Sequence, residues 1–291
     1  MNKLFGFEHI FSNFVDLYNE NSLPNRILLS GKRGIGKSLF VNHFINYIYS
    51  KDENNQNTNI LIDNDSHPNI FKIFKKDQKK FIDISQIREM IIFQNQSTFN
   101  NKFKSIIIDD LEYLNINSSN ALLKSIEEPN EKVLFFLINN NEKKISKTLK
   151  SRCIEFKFFL KNSEIELIIN NYFNQNIYDR ISNDFLTFYN SPSFIISLVE
   201  FFIDNSIDYH NLTIEKFLLK IIENKYYQKN PFIAENINVF IELFFYKNIY
   251  YSLKIPYRIK DYFYLKLSDI KKYNLDLEIF FLEFKEKLLR E

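Results

Sequence analysis

The sequence predicts an α/β fold in which a parallel sheet lies between two layers of helices and is followed by an all-helical half. Three observations predict this fold. Strand-like and helix-like segments alternate up to about residue 160. A glycine-rich loop, GKRGIGKS at residues 31–38, joins the first strand to the helix after it. Beyond residue 160 the apolar residues keep a helical spacing, and no further strand is compelling.

In the first half, apolar patterning predicts five helices or strands before the buried strand in 104–110 and three after it. They are a helix at 8–20, a strand at 25–30, a helix carrying Leu39, Phe40, Phe44 and Ile48, a polar loop at 50–69 with one strand at 59–62, a helix capped by Asp83, a buried strand in 104–110, a helix from Ser118 or Ser119 to Glu128, and strands at 133–138 and 154–158. Pro129 is expected to end the helix that reaches Glu128.

In the second half, helices are predicted at 163–174, 180–190, 193–204, 213–224, 232–253 and 275–290. We therefore expect three domains, with an α/β domain at 1–160 and helical domains at 161–206 and 207–291. The boundary near 206 rests on the weakest pattern.

Composition and charge exclude several classes of protein. The formal net charge of +2 does not suggest a stand-alone nucleic-acid binder. One cysteine excludes an internal disulfide framework and any four-cysteine zinc module. No apolar run is long enough for a transmembrane helix, and the first residues lack a signal-peptide core. We expect a cytoplasmic protein without a membrane partner.

The glycines point to a phosphate site. The chain has 4 glycines, whereas average usage predicts roughly 20, and three of them lie in the 31–38 loop. This loop matches the P-loop pattern in full, and glycines let several backbone N–H groups point at one phosphate. The candidate ATP-binding residues are Gly31, Gly34, Ile35, Gly36, Lys37 and Ser38. A chance glycine turn before a helix is the alternative.

Two carboxylates end the buried strand of residues 104–110. Asp109 stands where a P-loop enzyme holds its metal, so we expect Ser38 and Asp109 to bind Mg²⁺. The alternative is that Asp109 only caps the turn. Asp110 stands where a hydrolytic enzyme of this type usually has Glu, and Asp is one methylene shorter. We expect weak or absent hydrolysis even if ATP binds.

With these motifs placed, the chain resembles the clamp-loader branch of the AAA+ ATPases. Further landmarks span residues 5–153. They are Phe5-Gly6-Phe7-Glu8, His67-Pro68-Asn69, Ile87-Arg88-Glu89-Met90, the stretch Asn120 to Pro129 that is nearly identical to the family's N-A-L-L-K-x-L-E-E-P, and Ser151-Arg152-Cys153. The resemblance implies a P-loop AAA+ core, a helical lid and an all-α C-terminal collar domain.

The resemblance also implies roles for two further residues. Arg152 would be an arginine finger that enters the ATP site of a neighbouring subunit; an ordinary surface ion pair is the alternative. Asn139 lies at the family's sensor-1 position, and a plain loop asparagine is the alternative. The implied partners are gamma/tau and delta clamp-loader subunits, the sliding clamp and primed DNA. The carboxylates of Glu127 and Glu128 oppose the helix dipole, which hints at a functional network or a partner; a solvated acidic helix end is the alternative.

Three departures from the family pattern favour a non-hydrolysing subunit over the motor. Residues 49–66 lack the four zinc-binding cysteines of many relatives, so we expect no zinc. The segment 191–194 lacks the sensor-2 arginine, and Asp110 replaces the catalytic Glu. An active ATPase motor and a stand-alone DNA-binding AAA+ module are the rival functions.

Overall fold

The computed structural model describes residues 5–53, 58–76, 79–98, 103–127, 132–186, 190–251, 255–273 and 275–289. The chain divides into two compact units, Met1–Glu164 and Ile165–Glu291. The first boundary lies close to the predicted one at residue 160. The second unit contains both predicted helical domains, and their boundary near 206 stays a prediction.

The first unit is built on a five-stranded sheet. The strands are β1 (Arg26–Ser30), β2 (Ile70–Ile73), β3 (Lys104–Ile108), β4 (Val133–Asn139) and β5 (Ile154–Lys157). Their order in the sheet is β2-β3-β4-β1-β5, and every neighbouring pair is parallel. Since all strands point the same way, the loops that follow them gather at one edge of the sheet, where ligands of such folds bind.

Helices cover both faces of this sheet. They are α1 (Glu8–Asn19), α2 (Lys37–Glu53), α3 (Thr58–Asp63), α4 (Ile84–Asn95), α5 (Ile116–Glu127) and the short α6 (Lys147–Lys150). A 3₁₀ turn, Leu111–Tyr113, follows β3. One face packs on α1 and α2 through Phe14, Phe40 and Phe44, while the other packs on α4 and α5 through residues such as Met90 and Leu122.

The strand residues alternate between these two apolar clusters. Ile27 and Leu29 belong to the cluster that contains α1 and α2, whereas Leu28 belongs to the other. Every residue of β3 and β4 is buried. This is why the sequence shows them as continuous apolar runs rather than alternating ones. The predicted three-layer parallel α/β core is confirmed.

The second unit is helical in its described residues. It contains α7 (Asn162–Phe173), which begins in the first unit, α8 (Pro192–Asp204), α9 (Ile214–Glu223), α10 (Tyr226–Lys229), α11 (Pro231–Tyr246), α12 (Tyr257–Tyr273) and α13 (Leu277–Phe284). Single π-helical turns extend α11 and α13 to residues 251 and 289. Its core is rich in phenylalanine, with ring centroids of Phe202 and Phe217 5.2 Å apart and those of Phe217 and Phe240 5.1 Å apart.

Several predicted elements are wrong in detail. Residues 58–63 form α3 rather than a strand, and the edge strand β2 was missed. Helix α5 begins before Ser118, because the side chain of Asn115 accepts the Ser118 N–H at 2.8 Å. Its predicted end at Glu128 and Pro129 lies outside the described residues.

The predicted helix at 180–190 is also wrong. Only Tyr178–Arg180 forms a 3₁₀ turn there, and the next described residues are non-helical. Asp184 instead accepts the Ile214 N–H at 2.9 Å and the ammonium of Lys247 at 2.7 Å. Helix α12 was not predicted at all. In the part of the chain that the structure describes, no helix has the length and apolar character needed to span a membrane.

Candidate functional site

The glycine loop at 31–38 connects β1 to α2 in a tight path that excludes side chains. A Cβ atom on Gly31 would lie 2.4 Å from the carbonyl oxygen of Phe158 and 2.9 Å from Cδ1 of Ile35. Gly34 and Gly36 have φ of +78° and +102°, which L-residues rarely adopt. The three glycines are therefore needed for the path of the loop. This path leads directly into the N-terminus of α2, where a helix can bind a phosphate.

Ile35 contributes to this loop in a different way. Its side chain is 5% exposed and belongs to the apolar cluster with Phe7 and Phe158. Only its backbone N–H is therefore placed to contact a phosphate, while the side chain anchors the loop to the core.

Lys37 is the first residue of α2 and is buried, with 3% of its surface exposed. Its ammonium donates to the carbonyl oxygens of Gly31 at 2.8 Å and Lys32 at 2.7 Å. Burial lowers the pKa of Lys37 to about 8, against the opposing attraction of the Asp109 and Glu112 carboxylates. The cation thus lies inside the loop that would surround a phosphate.

Ser38 and Asp109 are in direct contact. Asp109 directly follows β3, and its carboxylate accepts a hydrogen bond from the Ser38 hydroxyl. The same carboxylate accepts the backbone N–H of Asp110 at 2.7 Å. The structure therefore brings together the two residues that the sequence proposed as Mg²⁺ ligands.

Asn140 is a contact residue that the sequence reasoning missed. Its amide donates to Asp109 Oδ1 at 3.3 Å and to Asp110 Oδ1 at 3.2 Å. Asn139, the predicted sensor residue, instead donates to Asn141 Oδ1 at 2.8 Å and accepts the Asn141 N–H at 3.1 Å. The three consecutive asparagines at 139–141 indicated a polar contact at the end of β4, but their spacing alone does not tell which of them faces the carboxylates.

Asp110 lies in a network of polar contacts that includes Arg33 of the glycine loop. Arg33 contacts Asp110 Oδ1 at 3.3 Å and Glu142 Oε1 at 3.1 Å, and the Tyr113 hydroxyl donates to Glu142 Oε2 at 2.5 Å. Burial raises the pKa of Asp110 while the charge of Arg33 opposes this, and Asp110 itself adopts the left-handed conformation with φ of +56°. The Asp110 carboxylate is thus already bound by Arg33 and Asn140.

Glu112 lies behind this network and is 7% exposed. Its Oε2 accepts the backbone N–H of Asn140 at 3.1 Å, while Oε1 has no hydrogen-bond partner among the described residues. Burial raises the pKa of Glu112. Its observed contact fixes the backbone of the loop that carries Asn140.

Arg152 lies at the edge of the sheet formed by the amino ends of the strands, opposite the edge that carries the glycine loop. It precedes β5 by two residues, whereas the loop follows the carboxyl end of β1, and the two strands are parallel neighbours. Its guanidinium pairs with Glu127 at 2.5 Å and donates to the Thr148 carbonyl at 3.0 Å. This half-exposed ion pair is the contact that the sequence analysis gave as the alternative for Arg152, and the functional-network hypothesis for Glu127 stays a prediction. Cys153 beside it has a pKa raised by burial to about 11.

The residues of this site fit a magnesium nucleotide. Gly36 borders open space, since an added Cβ would meet only Phe7 at 3.8 Å, Lys37 supplies an ammonium, and Ser38 and Asp109 supply the oxygen donors that Mg²⁺ takes. Among the described residues, no group of three or more His, Cys, Asp or Glu side chains is arranged to hold a metal ion. Ser38 and Asp109 would thus supply two oxygen ligands to a magnesium ion, which in such sites also takes water and phosphate oxygens.

The chain is similar to known proteins over more than half of its length. The family model described as "DNA polymerase III, delta subunit" matches residues 6–161, more than half of the chain. The chain is 32% identical over 90 residues to DNA polymerase III subunit delta' of Pseudomonas aeruginosa, covering 31% of this chain and 27% of that one. It is 30% identical over 181 residues to the delta' subunit of Buchnera aphidicola subsp. Schizaphis graminum, covering 60% and 54%.

A solved structure shows the same fold over nearly the whole chain. A DNA polymerase III gamma subunit-related protein from Thermotoga maritima superposes with a TM-score of 0.55 and 15% identity, covering 95% of this chain and 96% of that one. At that identity the likeness concerns the fold alone. The chain spans about a quarter to a half of the length of the curated relatives it matches.

Proposed function

Since the chain belongs to the DNA polymerase III delta-subunit family, we propose that it is a delta-prime-type subunit of a clamp loader. In this role it assembles with gamma/tau and delta subunits in the cytoplasm, and the complex places the sliding clamp on primed DNA. The chain binds ATP and Mg²⁺ without efficient hydrolysis, uses no zinc, and donates Arg152 to the nucleotide of a neighbouring subunit.

One observation carries this proposal: the complete glycine loop and Arg152 lie at opposite edges of a single sheet. Arg152 is therefore far from the chain's own Lys37, which supports a role toward another molecule rather than toward its own glycine loop. A planar guanidinium suits that task because it binds phosphate oxygens in pairs and stabilises charge that develops on them.

ATP binding rests on this chain's own residues. Lys37 would reach the β- and γ-phosphates, and the backbone N–H groups of residues 34–38 would surround them. Ser38 and Asp109 would hold Mg²⁺, and Asn140 orients the Asp109 carboxylate. When bound, the magnesium ion neutralises phosphate charge.

Weak hydrolysis follows from the environment of Asp110. The carboxylate is one methylene shorter than Glu and is engaged by Arg33 at 3.3 Å and Asn140 at 3.2 Å. A general base must be free to accept a proton from the attacking water. Asp110 is therefore poorly suited to this role.

The test is co-purification with gamma/tau and delta subunits, followed by ATP turnover of the assembled complex. We expect Arg152→Ala to reduce turnover by about a thousandfold, the range of arginine fingers, without dissociating the complex. Arg180→Ala, an arginine of the second unit, is the matched control and should leave turnover unchanged.

Other results would favour the rival functions. Turnover by the isolated chain that Lys37→Ala abolishes would support an active motor. Tight DNA binding by the isolated chain, with a steep salt dependence, would support a stand-alone DNA-binding module. Normal turnover in the Arg152→Ala complex would refute the finger assignment.

A further inference from the structure

The 3₁₀ turn after β3 carries a carboxylate, that of Glu112, into the interior of the first unit. Asp110 precedes this turn in the left-handed conformation, with φ of +56°, which non-glycine residues rarely adopt. The N–H of Tyr113 donates to the Asp110 carbonyl oxygen at 2.8 Å, and the N–H of Ile82 donates to the Tyr113 carbonyl oxygen at 2.9 Å. These hydrogen bonds fix the backbone on both sides of Glu112.

The burial of Glu112 is unfavourable for stability. Its side chain is nine-tenths buried, and in the described ranges of the chain Oε1 finds no hydrogen-bond partner. A carboxylate oxygen that is removed from water without a new partner destabilises the folded state. Natural sequences break this rule mainly at functional sites. The position of Glu112 close to the glycine loop therefore calls for a functional explanation.

One contact links Glu112 to the proposed magnesium ligands. Its Oε2 accepts the backbone N–H of Asn140 at 3.1 Å, and Asn140 is itself buried, so water does not readily replace this acceptor. The side-chain amide of Asn140 reaches Asp109 Oδ1 at 3.3 Å and Asp110 Oδ1 at 3.2 Å. A rotation of the Asn140 backbone would move this amide away from both carboxylates.

The two oxygens of Asp109 have different partners. Oδ1 accepts the Asp110 N–H at 2.7 Å and the Asn140 amide, while Oδ2 accepts the Ser38 hydroxyl. The contacts at Oδ1 therefore set the direction of Oδ2, which faces the second proposed magnesium ligand. Hydrogen bonds of this kind orient metal-binding carboxylates in general, and removing one typically weakens metal binding about 10–100-fold.

We propose that Glu112 is a positioning residue of the magnesium site. It holds the backbone of Asn140, so that the Asn140 amide keeps the Asp109 carboxylate oriented for the metal. The metal rests on the proposed function, whereas the contacts from Glu112 to Asp109 do not. A purely electrostatic role is the competing explanation, because the Glu112 carboxylate also attracts the ammonium of Lys37. Replacing Glu112 by glutamine separates the two, since glutamine keeps the acceptor and loses the charge.

The first experiment measures amide hydrogen exchange by NMR in the free protein. Glu112→Gln keeps an oxygen acceptor of the same reach, Glu112→Met keeps the length of the side chain without the acceptor, and Asn140→Ala removes only the side-chain amide. We expect the protection factor at residue 140 to fall at least about tenfold in Glu112→Met and to stay within about twofold in the other two variants.

The second experiment measures ATP binding by calorimetry, with Mg²⁺ and with EDTA. ATP affinity in EDTA should be equal in Glu112→Gln and Glu112→Met, because both remove the charge. The gain in affinity on adding Mg²⁺ should be about tenfold smaller than in the wild type for Glu112→Met and for Asn140→Ala, and within about twofold of the wild type for Glu112→Gln. The double variant Glu112→Met/Asn140→Ala should lose no more than Asn140→Ala, since both changes break the same connection.

Glu215→Met is the matched control, because Glu215 is a carboxylate of the second unit that also accepts hydrogen bonds, from Lys247 and Asn248. It should leave both measurements unchanged. If Glu112→Gln loses the Mg²⁺ gain as fully as Glu112→Met, Glu112 acts through its charge and the proposal is overturned. It is also overturned if Glu112→Met lowers the urea midpoint while the protection of residue 140 and the Mg²⁺ gain stay unchanged, because the role of Glu112 is then only structural.

Two further outcomes are decided by the same variants. Should Glu112→Met fail to fold, a Glu112→Gln chain that has lost the Mg²⁺ gain still overturns the proposal. A Glu112→Gln chain that keeps the gain, beside an Asn140→Ala chain that has lost it, supports the proposal. If the wild type binds no ATP under either condition, nucleotide binding fails as part of the proposed function, whereas the exchange at residue 140 still decides whether Glu112 positions Asn140.

Discussion

Replacing Gly31 by alanine tests whether the glycine loop is held by a steric constraint of the sheet. The added Cβ would lie 2.4 Å from the carbonyl oxygen of Phe158, whereas carbon and oxygen atoms in contact are normally about 3.3 Å apart. The loop and β5 must therefore separate by about 1 Å. Phe158 resists this movement because its N–H donates to the Ser30 carbonyl at 2.7 Å.

The expected magnitude follows from these contacts. Weakening the hydrogen bond between Phe158 and Ser30 costs about 1 kcal/mol, and overpacking a buried site costs about 1–3 kcal/mol. Gly31→Ala should therefore lower the free energy of unfolding by about 2–4 kcal/mol. ATP affinity should fall by at least about tenfold, because the shifted loop carries the carbonyls that hold Lys37.

The assay is urea unfolding followed by far-UV circular dichroism, together with hydrogen exchange at the Phe158 amide. Gly36→Ala is the matched control. Its added Cβ would have one ordinary contact, at 3.8 Å from Phe7, so its expected loss of about 1–3 kcal/mol in the free energy of unfolding comes from the φ of +102° alone. It should leave the Phe158 amide protected. A Gly31→Ala protein within about 0.5 kcal/mol of the wild type, with unchanged exchange at Phe158, would refute the steric reasoning.

Four further predictions concern the other contacts of the first unit. Burial holds the pKa of Lys37 at about 8, whereas bound ATP favours the charged ammonium, so ATP affinity should fall as the pH rises from 8 to 10. Calorimetry should show proton uptake on ATP binding in this range, and a constant affinity would contradict the prediction. In the free protein the unfolded chain binds the extra proton in that range, so the free energy of unfolding should rise by about 2 kcal/mol between pH 8 and pH 10, and Lys37→Met should abolish the rise. Glu127→Gln should leave the free energy of unfolding within about 1 kcal/mol of the wild type, since its ion pair with Arg152 is half-exposed; a clearly larger loss in urea unfolding would contradict this. Phe14→Ala should cost about 3–5 kcal/mol in urea unfolding, because the centroid of its ring lies 5.1, 5.2 and 4.6 Å from those of Phe40, Phe44 and Phe156. Phe14→Leu should cost much less, and equal losses would exclude a cavity as the cause.

The features that the sequence predicted well are encoded locally. The glycine loop needs particular backbone angles, and β3 and β4 appear as continuous apolar runs because both of their faces are buried. Asp83 was identified as a cap, and it accepts the Ser85 N–H while Gln86 accepts the Asp83 N–H in return. Each of these depends on residues within a few positions of one another.

The features that were missed depend on distant contacts. Asp184 lies in a segment that looks helical, but its carboxylate binds the first residue of α9 and Lys247, more than sixty positions away. The choice between Asn139 and Asn140 depends on the turn at Asn141, where φ is +60°. Neither the partner of Asp184 nor the direction of this turn can be derived from local residue patterns.

The sheet topology itself explains why this chain would need a neighbour to use Arg152. Along the strand direction, Arg152 at the amino edge and Gly31 at the carboxyl edge are separated by about six residues. At 3.3 Å per residue this separation is about 20 Å. No side-chain rotation closes that distance while the sheet is intact. A second molecule that presents its glycine loop to the amino edge would close it, and such a contact joins different surfaces of the two partners. Contacts of that kind close into rings when the rotation between neighbours allows it. An arginine at one edge and a phosphate site at the other therefore favour an assembly in which each interface is built from two unlike edges.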